Sequence, residues 1–482
     1  MGRQFLLGVA VQASIYLQSL ILFPIVIRHA GAANYGEFVV LVTLLYLVFG
    51  LYASGVPYRY RRELVSAQGR EERRALFAPQ FTFQLICLAL VSAALMLWAA
   101  ASRSGALAAP LIAWLAANTF YRLVADYFRY TLRLRVFNFL AAAFPYLFLS
   151  LVLGVVFANG ALPVERLLWL QAVSLAVPAL LFLPLMLCEI GVPRPNLPWR
   201  TLVADLRQGA PLTVELVIDF LLASSDRPLI ALFLSTAAVG SYQPAYTLGT
   251  LVLFLPKVSD AIVLPNLNKL IDDGKIDEAR LLLQIVFNLL LMVALPFVMA
   301  SLLLGPSILR LLTNDDIAEA SRWVTPLVAG AAIFYGVMLL AGQVAFALRR
   351  TRAIVTASAF GGVVNVVLNL VLLPVFVSIV VPAVTTLVGY IVGLALIVAM
   401  LRRSWRFEVE WPALLRFCVA ALAMGLLLLA LGYRPGEAAA VGPAMLAGTI
   451  AVAAIAYFAV LFVVGGRELR DVRELLGSAA SP

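Results

Sequence analysis

Leu281-Leu-Leu-Gln-Ile-Val-Phe-Asn-Leu-Leu-Leu-Met-Val-Ala-Leu-Pro-Phe-Val-Met-Ala-Ser-Leu-Leu-Leu304 runs for 24 residues without one charged side chain. At about 1.5 Å per residue, a helix of that length crosses a hydrocarbon core of about 30 Å. Only helices and closed barrels satisfy their backbone groups in lipid. Barrel strands are short and alternating, whereas this run is long and continuous. It reads as a transmembrane helix. Runs of the same kind recur at 4–27, 38–56, 76–100, 107–125, 139–157, 167–188, 212–233, 239–263, 324–348, 354–375, 379–401, 411–431 and 441–464. The expected fold is an all-α integral membrane bundle of about 14 transmembrane helices with both termini cytoplasmic.

Composition agrees. Of 482 residues, 63% are hydrophobic and 12% charged, with mean hydropathy +1.00. A soluble domain carries about 25% charged residues, so this chain has too few to cover a water-facing globule. The longest connections, 57–75 and 189–210, are too short for an extramembrane domain, which puts the function inside the bundle. The first run follows Arg3 and is longer than the apolar core of a signal peptide, so it reads as an uncleaved span. Cys87, Cys188 and Cys418 are scattered among apolar runs and form no disulfide or metal framework.

The net charge of +10 reflects topology rather than nucleic acid. With the N-terminus cytoplasmic, only Arg28, Arg103, Arg166, Arg310, Arg322 and Arg434 fall on the outside, and Arg227 lies within a span. The other 28 of the 35 Lys and Arg residues fall on the cytoplasmic side, densest at Arg59, Arg61, Arg62, Arg70, Arg73 and Arg74. This loop-by-loop alternation is the positive-inside pattern, and one span more or fewer would destroy it.

The halves echo each other. Pro24, Gly36 and Phe38 recur as Pro228, Gly240 and Tyr242, all at an offset of 204 residues. Both copies begin on the same side, as in parallel repeats. The expected division is 1–200 and 201–404 as two lobes of six spans, with 405–482 as two added helices and a tail. Prolines inside spans, such as Pro24, Pro145, Pro178 and Pro296, each remove a backbone hydrogen bond and favour kinks.

Catalytic signatures are lacking. His29 is the sole histidine, and no segment has the Gly-x-x-x-x-Gly-Lys-Ser/Thr pattern of a P-loop. The reading is a non-enzyme without cofactor or metal. Polar groups at membrane depth are the candidate site residues. Glu215, Asp219 and Asp226 stand at i, i+4 and i+11, within about 40° of one face of an unbroken helix, and Arg227 adjoins them. They suit a proton or cation site, hydrogen bonding to sugar hydroxyls, or an Asp226–Arg227 ion pair. Asn118, Arg122 and Asp126 form a second stripe. Arg122 suits either a phosphate or the lipid headgroups. Gln12, Gln18, Asn365 and Asn369 suit interhelix hydrogen bonds or sugar contacts.

Three stretches give the chain a family likeness. Tyr35-Gly36-Glu37-Phe38 precedes a span ending at Gly55, with Arg62-Glu63 seven residues on. Asp226-Arg227 precedes Val239-Gly240-Ser241-Tyr242. Asn365-Val-Val-Leu-Asn369 leads to Pro374. Together they resemble the bacterial polysaccharide (O-antigen type) flippases of the multidrug/oligosaccharidyl-lipid/polysaccharide (MOP) exporter superfamily. The chain departs from that family after Pro374, where Ser378 and Val381-Pro382 stand in place of the usual glycines. The resemblance implies two six-helix lobes around a central cavity, and alternating access carrying a polyprenyl-diphosphate-linked oligosaccharide across the bacterial inner membrane. It implies membrane lipids, glycan polymerases and transferases as partners, with H⁺ or Na⁺ as a coupling ion. The lipid II flippases and the cation-coupled multidrug antiporters of the superfamily are the alternatives. A membrane glycan polymerase fits less well, for want of a large outside loop.

Overall fold

The computed structural model describes residues 2–53, 58–67, 69–102 and 105–464. Gly55, Arg103, Arg467, Arg470 and Arg473 lie outside the described residues, as do the side chains of Gln12, Arg59, Lys257 and Asp260. The chain is all-helical, 86% helix with no strand among the described residues. In order the helices are α1 (Gly2–Ala53), α2 (Tyr58–Glu63), α3 (Arg70–Ser102), α4 (Gly105–Tyr130), α5 (Leu134–Phe157), α6 (Val164–Ile190), α7 (Trp199–Ala223), α8 (Asp226–Phe233) and α9 (Thr236–Gly249). After a 3₁₀ turn at Thr250–Leu253 come α10 (Phe254–Asp272), α11 (Ile276–Leu312), α12 (Asp315–Ala320), α13 (Val324–Ala347), α14 (Thr351–Phe376), α15 (Val380–Leu401), α16 (Trp411–Ala430) and α17 (Pro443–Val463).

Among the described residues, eleven helices are long and apolar enough to cross a membrane. The protein is a multi-pass membrane protein. Two of the fourteen apolar runs, the seventh and the eighth, take a form that hydropathy does not show. The first two runs are the two helical arms of α1, which meet at Gly31 (φ 81°, ψ 161°), a conformation that glycine adopts because it has no Cβ. The seventh run divides into α7 and α8 at Ser224-Ser225, where the Ser225 hydroxyl donates to the Leu221 carbonyl at 2.7 Å. The eighth divides into α9 and α10 around the 3₁₀ turn. The break in α7 also removes the single-faced stripe expected of Glu215, Asp219 and Asp226, because helical phase is not carried through a turn.

Several helices outrun their apolar cores. α6 ends at Ile190 and α7 starts at Trp199, so the expected long connection shrinks to 191–198. Hydropathy marks the part of a helix in lipid, not the turns projecting from it. The repeat has a backbone counterpart. Gly31 breaks α1, and Ser235, 204 residues later, caps α9 by accepting from the Ala238 N–H at 3.1 Å.

The chain forms two compact units, one within Arg3–Phe220 and the other within Leu221–Pro482. In the first, α4 is the hub: Trp114, Leu115, Tyr127 and Phe128 are fully buried against α3, α5 and α6. In the second, α14 and α15 cross at glycines. A Cβ on Gly361 would meet the Gly389 carbonyl oxygen at 2.7 Å, and one on Gly389 would meet that of Gly361 at 2.8 Å. Small residues allow this approach, a common way for membrane helices to pack. α16 and α17 attach to α11, where the Tyr457 hydroxyl donates to the Met292 carbonyl at 2.6 Å.

Candidate functional site

Two polar constellations stand inside the apolar units. In the first unit, helices α1 to α7 enclose a cavity of about 510 Å³. Its polar lining comes from Arg61 of α2, Gln80 and Gln84 of α3, and Asn118, Tyr121, Arg122 and Asp126 of α4. The α4 stripe is realised, since spacing of four residues on an unbroken helix sets all three on one face. Arg122 lies 3.9 Å from Asp126, an ion pair at the limit of contact. Tyr121 is held in place by donating to the Leu140 carbonyl at 3.0 Å.

Many of the cavity's polar groups are poised rather than satisfied. Arg61 Nε, Gln80 Oε1, Gln84 Oε1, Asn118 Nδ2 and Asp126 Oδ1 are buried with no hydrogen-bond partner among the described residues. Leaving a buried donor or acceptor unmade costs about 1–3 kcal/mol, so a cluster of five is a place for water or a polar ligand. Two guanidinium groups face one carboxylate, which gives the lining a net positive charge. Amides and aromatic rings, including Tyr46 and Phe144, complete it. Such a wall can take an anionic group beside hydroxyl-rich, uncharged chemistry.

In the second unit, Asp226 opens α8 with its side chain fully buried. Its Oδ2 accepts from the Tyr242 hydroxyl at 2.7 Å and from Thr386 at 3.4 Å. Asn365 donates to the Leu222 carbonyl at 3.3 Å and to Thr386 at 3.5 Å, and Asn369 donates to Asn365 Oδ1 at 2.8 Å. Asp226 Oδ1 and Asn369 Oδ1 have no hydrogen-bond partner among the described residues. The break at Ser224-Ser225 frees Asp226 to begin a helix and turn into this network.

Arg227 goes elsewhere. It donates to Gln243 Oε1 at 2.9 Å and to the Ala223 carbonyl at 2.5 Å, and it lies over the Tyr246 ring at 4.2 Å. Among the described residues no ion pair joins it to Asp226, because adjacent helical residues point about 100° apart. Of the readings the sequence left open, the Asp226–Arg227 ion pair gives way to two separate sets of partners.

The other expected residues disperse. Glu215 and Asp219 are exposed on α7, within the first unit. Gln18 is buried in α1 with its Nε2 unpartnered. Arg62 lines a separate cleft of about 410 Å³ with Arg200 and Gln208. Sequence reasoning passed over Arg61, Gln80, Gln84, Tyr242 and Thr386. Gln80 and Gln84 carried the same signal as Asn365 and Asn369, two amides one helical turn apart in an apolar run.

No protein-family model matches this sequence, and no curated protein matches it. Solved structures do. The chain is similar to the lipid II flippase MurJ in its inward closed conformation, with TM-score 0.71 and 12% identity over 97% of this chain and 99% of that one. At this identity the likeness is one of fold. An inward-facing multidrug resistance MATE family transporter of the MOP superfamily aligns with TM-score 0.60 and 16% identity, over 82% of this chain and 100% of that one. A mutant of the Vibrio cholerae MATE transporter VcmN aligns with TM-score 0.56 and 16% identity, over 84% and 96%.

Proposed function

We propose that the protein is a flippase that moves a polyprenyl-diphosphate-linked oligosaccharide across the bacterial inner membrane by alternating access. The observation that carries this reading is the 510 Å³ cavity among the apolar helices of the first unit, with Arg61 and Arg122 beside amides that have no partner among the described residues and beside aromatic rings. Arginine forks match a diphosphate, while Gln80, Gln84 and Asn118 offer donors and acceptors to sugar hydroxyls. Sugars cannot enter hydrocarbon unaided, whereas a polyprenyl tail can stay in it. Exposed carboxylates such as Asp219 are costly against acyl chains, which favours an aqueous face along α7.

On this reading Asp226, Asn365, Asn369 and Thr386 form the coupling centre, with H⁺ or Na⁺ as the driving ion, and glycan polymerases and transferases act beside the transporter. A second reading, transport of lipid II, draws on the likeness to MurJ across nearly the whole of both chains. The two readings share the diphosphate and differ in the glycan. The test is flipping by the reconstituted full chain of fluorescent polyprenyl-diphosphate oligosaccharide and, separately, of lipid II. Faster flipping of the oligosaccharide supports the first reading, and faster flipping of lipid II the second.

A further inference from the structure

The second unit contains a cavity that the transport reading does not use. It measures about 590 Å³ and lies among α11, α13, α15 and α16. Its wall is apolar, with Phe287, Phe334, Val337, Leu340, Leu394 and Val398 among the lining residues. Its lining draws on both apolar cores of the unit, with Leu283 from one and Leu291 from the other, and Phe287 and Ile333 pack against both.

One end is polar. Arg280, in the first turns of α11, and Arg406, just beyond α15, line the cavity there together with Trp405 and Glu408. Arg280 spends one nitrogen on Asp277 at 3.2 Å and lies 5.9 Å from the Trp405 ring, yet its buried Nε has no partner. Arg406 makes no ion pair or hydrogen bond among the described residues. Both arginines belong to connections that the charge pattern assigns to the cytoplasmic side, and tryptophan is favoured at that interface.

We infer that this cavity binds one anionic phospholipid of the cytoplasmic leaflet, with an acyl chain between the two cores and its phosphodiester held by Arg280 and Arg406. An apolar slot that ends at Arg406 and at the unpartnered Nε of Arg280 is complementary to one acyl chain of a phospholipid and its phosphodiester at that boundary. The volume lies within the range of small-molecule sites. Glu408 at the same mouth can accept from headgroup hydroxyls, which singles out phosphatidylglycerol. The bound lipid fills the space between the bundle and the start of α16, and so fastens the C-terminal helix pair to the rest of the unit.

The test uses the purified full chain, delipidated in detergent and titrated with phosphatidylglycerol, with bound lipid counted by native mass spectrometry. The wild type retains one phosphatidylglycerol, Arg406→Ala lowers its apparent affinity about tenfold through the lost charge-assisted hydrogen bonds, and the cavity-filling Val337→Trp abolishes retention. Added undecaprenyl diphosphate leaves the phospholipid in place. Unchanged affinity in Arg406→Ala overturns the proposal whether or not Val337→Trp folds. Displacement by undecaprenyl diphosphate overturns it too, since the cavity would then hold the transported lipid.

Discussion

Tyr242 donates its phenolic hydroxyl to Asp226 Oδ2 at 2.7 Å, which joins the start of α8 to α9 through a carboxylate that forms no ion pair among the described residues. A lone carboxylate in an apolar unit is stable only where hydrogen bonds, a proton or a cation compensate it. Asp226→Asn keeps the shape of the network and removes the charge. Flipping in proteoliposomes is expected to fall at least about tenfold and to lose its response to an imposed H⁺ or Na⁺ gradient, with helical content unchanged by circular dichroism. A variant that keeps wild-type flux and gradient response would assign Asp226 a structural role alone.

Arg122 is tested by charge and by shape. Arg122→Ala removes one of the cavity's two cations and leaves Asp126 buried beside the other. Loss of a charge-assisted fork is worth about 1.5–3 kcal/mol, so substrate affinity is expected to drop about 10- to 100-fold. Arg122→Lys restores the charge without the planar fork and recovers only part of the loss. Binding of a fluorescent polyprenyl-diphosphate glycan measures both.

Val377 ends α14 in the left-handed region, with φ 45° and ψ 47°. A β-branched residue is strained there by about 1–2 kcal/mol, and glycine is not. Val377→Gly is expected to raise the thermal unfolding midpoint by a few degrees, read by intrinsic fluorescence. An unchanged or lower midpoint would show that the turn draws no strain from this residue.

Gly389 lies against the Gly361 carbonyl, and a Cβ there would also meet the Asn365 Cβ at 3.1 Å. Gly389→Val forces α14 from α15 and shifts Asn365 away from Thr386. The expected cost is about 1–3 kcal/mol, together with weakened gradient coupling of the kind seen in Asp226→Asn. Thermal unfolding and the gradient assay read the two effects separately.

The membrane class was legible because an apolar run such as Leu281 to Leu304 has one physical solution in lipid. The broken helices were not. Hydropathy separates the two arms of α1 around Gly31, but it reads through Ser224-Ser225 because two serines barely lower the average. The α4 stripe was legible because Asn118, Arg122 and Asp126 share one unbroken helix. The network at Asp226 was half legible. Asn365 and Asn369 announce themselves by spacing, while Thr386 and Tyr242 join them only through tertiary contact across α8, α9, α14 and α15. Arg61 hid among the arginines of a basic connection, where nothing in the sequence separates a cavity residue from a topological one.

The central claim is that the cavity lined by Arg61 and Arg122 receives a polyprenyl-diphosphate-linked glycan for transfer between leaflets. The most direct measurement is the flipping rate of a fluorescent polyprenyl-diphosphate oligosaccharide in proteoliposomes holding the wild type or Arg61→Ala/Arg122→Ala. The wild type is expected to flip the lipid well above protein-free vesicles, and the double variant to return to that background while remaining folded. Equal flipping by the two proteins, or none by the wild type under either ion gradient, would contradict it.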